Sequence, residues 1–205
     1  MIEMVFKKKE FTNKLVRKYL LQGELMPNNR LVLGKMEATI FFYEYSNYIE
    51  DNIFKEFADN LIDDLCQDIQ DIDNISFFNG LSGIAWGITY LHYKKFIIID
   101  DLNKFLSEID QIIMQRDPKR FTDISFESGL GGILYYIATR ISYAFIQGYS
   151  RPFDDTYIYD LQYFIQHNKD YKQIREDLQT LFFNSLSGKY DINFNIGINS
   201  LSFMH

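Results

Sequence analysis

The chain has 205 residues, 47% of them hydrophobic and 17% aromatic, which is enough apolar material for a substantial buried core. Its formal net charge of -7 argues against nucleic acid as the main partner, because nucleic-acid binders usually present a basic face. The single cysteine excludes an intrachain disulfide, and no apolar stretch is long enough to suggest a membrane span. The start of the chain reaches the basic cluster Lys7-Lys8-Lys9 without the apolar segment of an export signal, so a cytoplasmic location is expected.

Taken in order, Lys7 to Lys9 with Lys14, Arg17 and Lys18 read as a solvated helix face, and Phe11 to Leu21 as an outer or capping helix. A weak motif copy runs from Asn28 to Ala38 around Gly34, where a first inner helix should begin. An outer helix follows from residue 51. Its apolar stripe is Phe54, Phe57, Leu61, Leu65 and Ile69, while Glu56, Asp59, Asp63, Asp64 and Asp68 lie elsewhere on its circumference. Cys66 falls among Leu61, Ile62, Leu65 and Ile69, the setting of a buried and inert thiol.

The segment from Asn74 to Ile84 is the first strong copy of a recurring motif, and a second inner helix is expected from Gly80. The next outer helix starts near residue 100, with Leu102, Phe105, Leu106, Ile109, Ile112 and Ile113 as its buried stripe and Asn103, Lys104, Glu108 and Asp110 between them. The motif returns from Asp123 to Ile133, heading an inner helix from Gly129 that is apolar nearly all round and therefore surrounded by protein. A longer outer section is expected from about 154 to 183, and the stretch from Gln147 to Lys172 carries an insertion that is a candidate partner surface. The last copy runs from Asp191 to Leu201, with an inner helix from Gly197.

The anchors Gly34, Gly80, Gly129 and Gly197 thus mark a supersecondary unit repeated at intervals of roughly 50 to 70 residues, as in an array of helical hairpins. The pattern predicts a single all-α repeat domain over 1–205. Asn79 and Ser128 stand where N-cap residues are wanted, and Gly83 and Gly132, three residues after the anchors, let a neighbouring backbone approach the first turn. Anion binding at these helix starts is the alternative reading. Asn74, Asp123 and Asp191 share one offset from the anchor glycine and should brace the turn. Asp100-Asp101 and Asp154-Asp155 suit helix starts, where carboxylates meet the positive end of the helix dipole.

At Gly80-Leu81-Ser82-Gly83-Ile84-Ala85-Trp86-Gly87-Ile88 and Gly129-Leu130-Gly131-Gly132-Ile133 the pattern resembles the repeats of the lanthionine synthetase C-like family. The resemblance implies an α/α toroid in which glycine-led inner helices ring a cavity, with about three and a half of the family's about seven hairpins present here. It also implies zinc chemistry that activates peptide thiols for addition to dehydrated serine or threonine. That site needs two cysteines and a histidine, and this chain has one cysteine and no matching motif, so no zinc ligand and no cofactor is expected.

On the toroid reading the loops ahead of the inner helices rim the cavity. Asp123, Glu127, Asp191 and Trp86 are then the candidate ligand-binding residues, with Glu127 near a position that is acidic in the family's active site. His92, His167 and His205 show no metal spacing, and no Walker loop, dinucleotide fingerprint or nucleophile elbow occurs. Two classes of function remain: a non-catalytic peptide- or protein-binding scaffold, which is the preferred reading, or an enzyme. The enzyme would be one subunit of a split zinc-dependent cyclase, or an acid-base catalyst using cavity carboxylates. The partial ring suggests a homodimer, a second chain that completes it, or a degenerate remnant, with an assembly preferred.

Overall fold

The structure is a computed structural model that describes residues 2–22, 29–69, 72–167, 173–189 and 192–205. Among these residues all regular structure is helical and there is no strand. In chain order the helices are α1 (Ile2–Phe6), α2 (Lys9–Gln22), α3 (Lys35–Ile49), α4 (Asn52–Asp68), α5 (Leu81–Tyr93), α6 (Leu102–Met114), α7 (Leu130–Ile146), α8 (Asp155–His167), α9 (Glu176–Leu186) and α10 (Asn195–Asn199). Short 3₁₀ turns occupy Pro118–Arg120 and Ser202–Met204. Contacts divide the chain into two compact units, one of residues 1–72 and 195–205, the other of residues 73–194.

In the first unit α3 and α4 form a hairpin. Its turn is closed by Glu50 in the left-handed region at φ 57°, by the Ser46 hydroxyl donating to the Asp51 carbonyl at 2.7 Å, and by the Asp51 carboxylate capping the amide of Ile53 at 2.9 Å. Helix α3 is buried on nearly every side, as the sequence requires of an inner helix, while α4 turns a charged face to water. Phe41 shows why α3 cannot be peeled away: its ring meets Phe6 at 5.6 Å, Tyr19 at 5.0 Å and Phe203 at 5.4 Å. Burial of one such ring is worth about 2–3 kcal/mol.

Glu37 is the exception on this apolar helix, with no exposed surface. It stands in the first turn of α3, and one carboxylate oxygen accepts the amide of Leu33, which approaches at φ 56°. The other oxygen accepts the amides of Ser202 and Phe203. A single side chain therefore joins the entry to α3 to the last 3₁₀ turn, and its charge is dispersed over three donors, which is what makes burial of a carboxylate tolerable.

In the second unit α7 is the central helix, packed against both α5 and α9, while α5 also packs on α6. The outer section expected from 154 to 183 is two helices, because residues 155–167 and 176–186 each form their own. Helix α9 takes the place against α7, and α8 lies on the Pro118–Arg120 turn, where Lys119 Nζ sits 5.4 Å from the Phe164 ring. The insertion thus contains a helix with Tyr157, Ile158, Leu161 and Ile165 buried. Two residues of α6 also depart from the amphipathic reading. Phe105 is 46% exposed, whereas Asp110 is 1% exposed, since its carboxylate has a partner in the core.

The motif copies behave alike. The amide of Leu81 donates to the Asn74 carbonyl at 2.8 Å, and the amide of Leu130 to the Asp123 carbonyl at 2.9 Å. This brings the approaching chain so close that a Cβ on Gly80 would lie 2.2 Å from the Asn74 oxygen, and one on Gly129 2.4 Å from the Asp123 oxygen. The glycines themselves are consequently the N-caps, without a side-chain cap; Asn79 and Ser128, expected in that role, stand one residue earlier. Gly34 caps α3 in the same way, whereas Gly197 falls inside α10. Gly83 is buried in the first turn of α5.

Gly132 links one copy to the next. A Cβ there would sit 2.1 Å from the Phe126 carbonyl oxygen and 2.4 Å from Phe77 Cβ. Phe77 fills the notch, its ring 4.9 Å from that of Phe126, and the Phe78 amide donates to the Glu127 carbonyl at 2.9 Å. Replacing Gly132 by Ala should cost about 2–3 kcal/mol, seen as a lower urea midpoint. Gly148→Ala, at φ 75° with nothing within 4 Å, should cost only about 1 kcal/mol. Glu37→Ala, which leaves three amides without their acceptor, should lower stability by about 3 kcal/mol in the same measurement.

Candidate functional site

Two of the acidic residues the sequence singles out, Asp123 and Glu127, lie on the loop ahead of α7. Asp123 is exposed, and its carboxylate serves the turn: Oδ1 accepts the Ser125 amide at 2.8 Å and Oδ2 accepts the Ser128 hydroxyl at 2.6 Å. The Ser128 hydroxyl, with help from Ser125, holds this carboxyl below its ordinary range, so it is an anion at neutral pH and a poor general acid. Asn74 accepts the Ser76 amide at 2.8 Å in the equivalent place, which shows that this position braces the loop in both copies. Glu127 is exposed on the same loop as Asp123. Asp191 lies outside the described residues.

Trp86 is not at a rim. It is fully buried in an aromatic cluster, 5.6 Å from Phe77, 5.7 Å from Tyr90 with the rings stacked, and 5.8 Å from Phe194. The reason is its place on α5, an inner helix buried along most of its length, where a large ring closes the space between motif phenylalanines. Phe77 and Phe194, equivalent residues of two copies, both meet it. The structure therefore leaves Asp123 and Glu127 exposed on one loop and assigns Trp86 to the core.

The buried charges were not evident as a group from the sequence. Arg140, on the apolar helix α7, has no exposed surface and its Nη2 lies 3.2 Å from Asp110 Oδ2. Asp110 Oδ1 accepts the Tyr136 hydroxyl at 2.6 Å, and Arg140 Nη1 donates to Asn103 Oδ1 at 2.8 Å. A lone arginine in a 17-residue apolar helix was the available signal; its partner Asp110 lies 30 residues earlier on α6, and only helix packing brings the two together. Burial raises the Asp110 carboxyl to about 6, against the opposing pull of Arg140 and the Tyr136 hydroxyl.

The three histidines are structurally engaged. His92 has both ring nitrogens in contact, Nδ1 with the Tyr143 hydroxyl at 2.7 Å and Nε2 with the Ile99 carbonyl at 3.1 Å. His167 stacks on Tyr163 at 4.3 Å between centroids, and His205 Nε2 meets the Asn199 carbonyl at 2.8 Å. Cys66 is half-buried on α4, and burial together with Asp63 pushes its thiol above the ordinary value, the reverse of what a thiolate nucleophile or ligand needs. Asp101 and Asp154 cap their helices, accepting the amides of Lys104 at 3.0 Å and Tyr157 at 2.7 Å.

Residues 36–178 match the lanthionine synthetase C-like protein family. The chain belongs to that family. The match spans α3 to the start of α9 and so includes both strong motif copies in full. No curated protein and no solved structure matches the chain.

Membership makes the family's zinc the group to test against these residues. The donors do not fit it. A two-cysteine, one-histidine site cannot be drawn from one cysteine, and among the described residues no three His, Cys, Asp or Glu side chains cluster as a metal site. Among the described residues no helix is long and apolar enough to cross a membrane.

The raised Asp110 carboxyl has a consequence for stability. Between about 4 and about 6 the folded chain holds this proton more tightly than the unfolded chain, so the contribution is complete below pH about 4 and declines as pH rises through about 6. Asp110→Asn should remove that slope. Urea unfolding of both proteins from pH about 4 to about 7 is expected to show up to about 3 kcal/mol of extra pH dependence in the wild type.

Proposed function

We propose that the chain is a non-catalytic peptide- or protein-binding member of the lanthionine synthetase C-like family. The observation that carries this reading is the combination of family membership with side chains that cannot assemble the thiolate zinc site: Cys66 has a raised thiol pKa and lies on the outer helix α4, and both nitrogens of His92 brace α5. The carboxylates on the motif edge support it as well. Asp123 is committed to its own turn, and its lowered carboxyl is a poor general acid. A fold of this family stripped of its Lewis acid keeps the surfaces that hold a peptide while losing the means to activate its thiol.

The test is direct. Purified protein should contain far less than one equivalent of zinc by elemental mass spectrometry. With one equivalent of zinc added, it should close no thioether ring in a peptide carrying one cysteine and one dehydroalanine, followed by thiol alkylation and mass spectrometry. Stoichiometric retained zinc, or ring closure about tenfold or more above the uncatalysed rate, would overturn the proposal.

A further inference from the structure

The first unit contains a groove of about 380 Å³ between α1, α2 and the end of α3, at the small end of the range for ligand clefts. Most of its wall comes from residues before 36, ahead of the part of the chain that matches the family. Its apolar side is a set of rings in mutual contact, Phe6 meeting Tyr45 and Tyr48 at 5.3 Å each, continued by Ile49. Tyr48 is 40% exposed and Ile49 36%, so the surface is open to a ligand. Its polar side is Lys7, Lys9 and Asn13, all exposed, while the Thr12 hydroxyl is held by the Val5 carbonyl at 3.1 Å.

Lys7 and Lys9 are the cations that line this groove. Lys14, Lys35 and Lys55 each have a carboxylate partner, at 3.2 Å from Glu10, 3.5 Å from Asp68 and 3.0 Å from Asp59. Among the described residues no carboxylate lies within ion-pair distance of Lys7 or Lys9 Nζ. Lys8, Arg17 and Lys18, also in residues 2–22, likewise have no carboxylate within ion-pair distance among the described residues, so the groove lies in a locally basic segment of a chain of net charge -7, which favours an anion there. The aromatic wall adds a second requirement, since a small hydrated anion leaves it uncovered. A ligand that satisfies both must carry carboxylates beside an aromatic or aliphatic body, and two lysines are too few to hold a polyanion against that net charge.

We propose that this groove binds an acidic peptide segment, with aspartate or glutamate carboxylates on Lys7 and Lys9 and an adjacent aromatic or aliphatic side chain against Phe6, Tyr45, Tyr48 and Ile49. The inference rests on the peptide-binding reading above and names its ligand class and its place.

Fluorescence anisotropy with three labelled peptides tests it on the full chain: one alternating Glu and Phe, one alternating Lys and Phe, one alternating Glu and Gly. The Glu-Phe peptide should bind, the Lys-Phe peptide should not, and the Glu-Gly peptide should bind at least about tenfold more weakly. The double variant Lys7→Glu, Lys9→Glu should lose about tenfold or more in affinity for the Glu-Phe peptide, and Lys7→Gln, Lys9→Gln should fall between it and the wild type; circular dichroism confirms that each is folded. Unchanged affinity in both variants would overturn the groove while leaving peptide binding elsewhere intact. No binding of any of the three peptides to the wild type would overturn the groove's assignment, while the non-catalytic reading is decided separately by the zinc and ring-closure measurements. Equal binding of Glu-Phe and Glu-Gly peptides, or displacement by inorganic phosphate at peptide-like concentrations, would overturn the peptide assignment in favour of a plain anion.

Discussion

The start of each inner helix depends on how near one backbone can come to another. The carbonyls of Asn74 and Asp123 take the first free amide of α5 and α7, and this is geometrically open only because Gly80 and Gly129 place no Cβ in the way. From that contact the rest of the second unit follows. The loop is drawn over its own helix, its phenylalanine is turned inward, and in the second copy Gly132 leaves the notch that Phe77 of the preceding copy fills. A glycine that would weaken a helix interior here removes the obstacle to packing at its start. Where conventional N-cap chemistry would use a side chain, this fold uses a distant carbonyl.

Both units also place charge inside an otherwise apolar helix, and each case is resolved by partners from far along the chain. Glu37 reaches the amides of Ser202 and Phe203, and Arg140 reaches Asp110 and Asn103. Such groups contribute little net stability as pairs, but each is costly to leave alone, so they select one arrangement of helices over alternatives that an aromatic core would tolerate. The abundance of aromatic rings makes this selection useful. Phe41, Trp86 and Tyr135 could pack against many neighbours, whereas a buried carboxylate accepts only a few.

The same economy shapes the functional reading. The three histidines, with Asp101, Asp123 and Asp154, are engaged in turns, caps and helix contacts. The groove beside Lys7 and Lys9 is built largely from the segment before the family match. Recognition there would add to a common repeat fold something particular to this chain.

The sequence by itself determined the helix-hairpin class, the order of the helices and the glycine anchors Gly34, Gly80 and Gly129, because hydrophobic periodicity and local turn chemistry depend on residues only a few positions apart. It also located the helix caps at Asp101 and Asp154 and the turn-bracing role of Asn74 and Asp123. Only the tertiary structure decided that Trp86 is core, that Asp110 turns inward while Phe105 turns out, that the outer section divides into α8 and α9, and that Glu37 answers the end of the chain. Those outcomes are set by contacts between residues distant in sequence. A residue's periodic position says which side of a helix it occupies, but the partner that makes its burial favourable exists only once the helices meet.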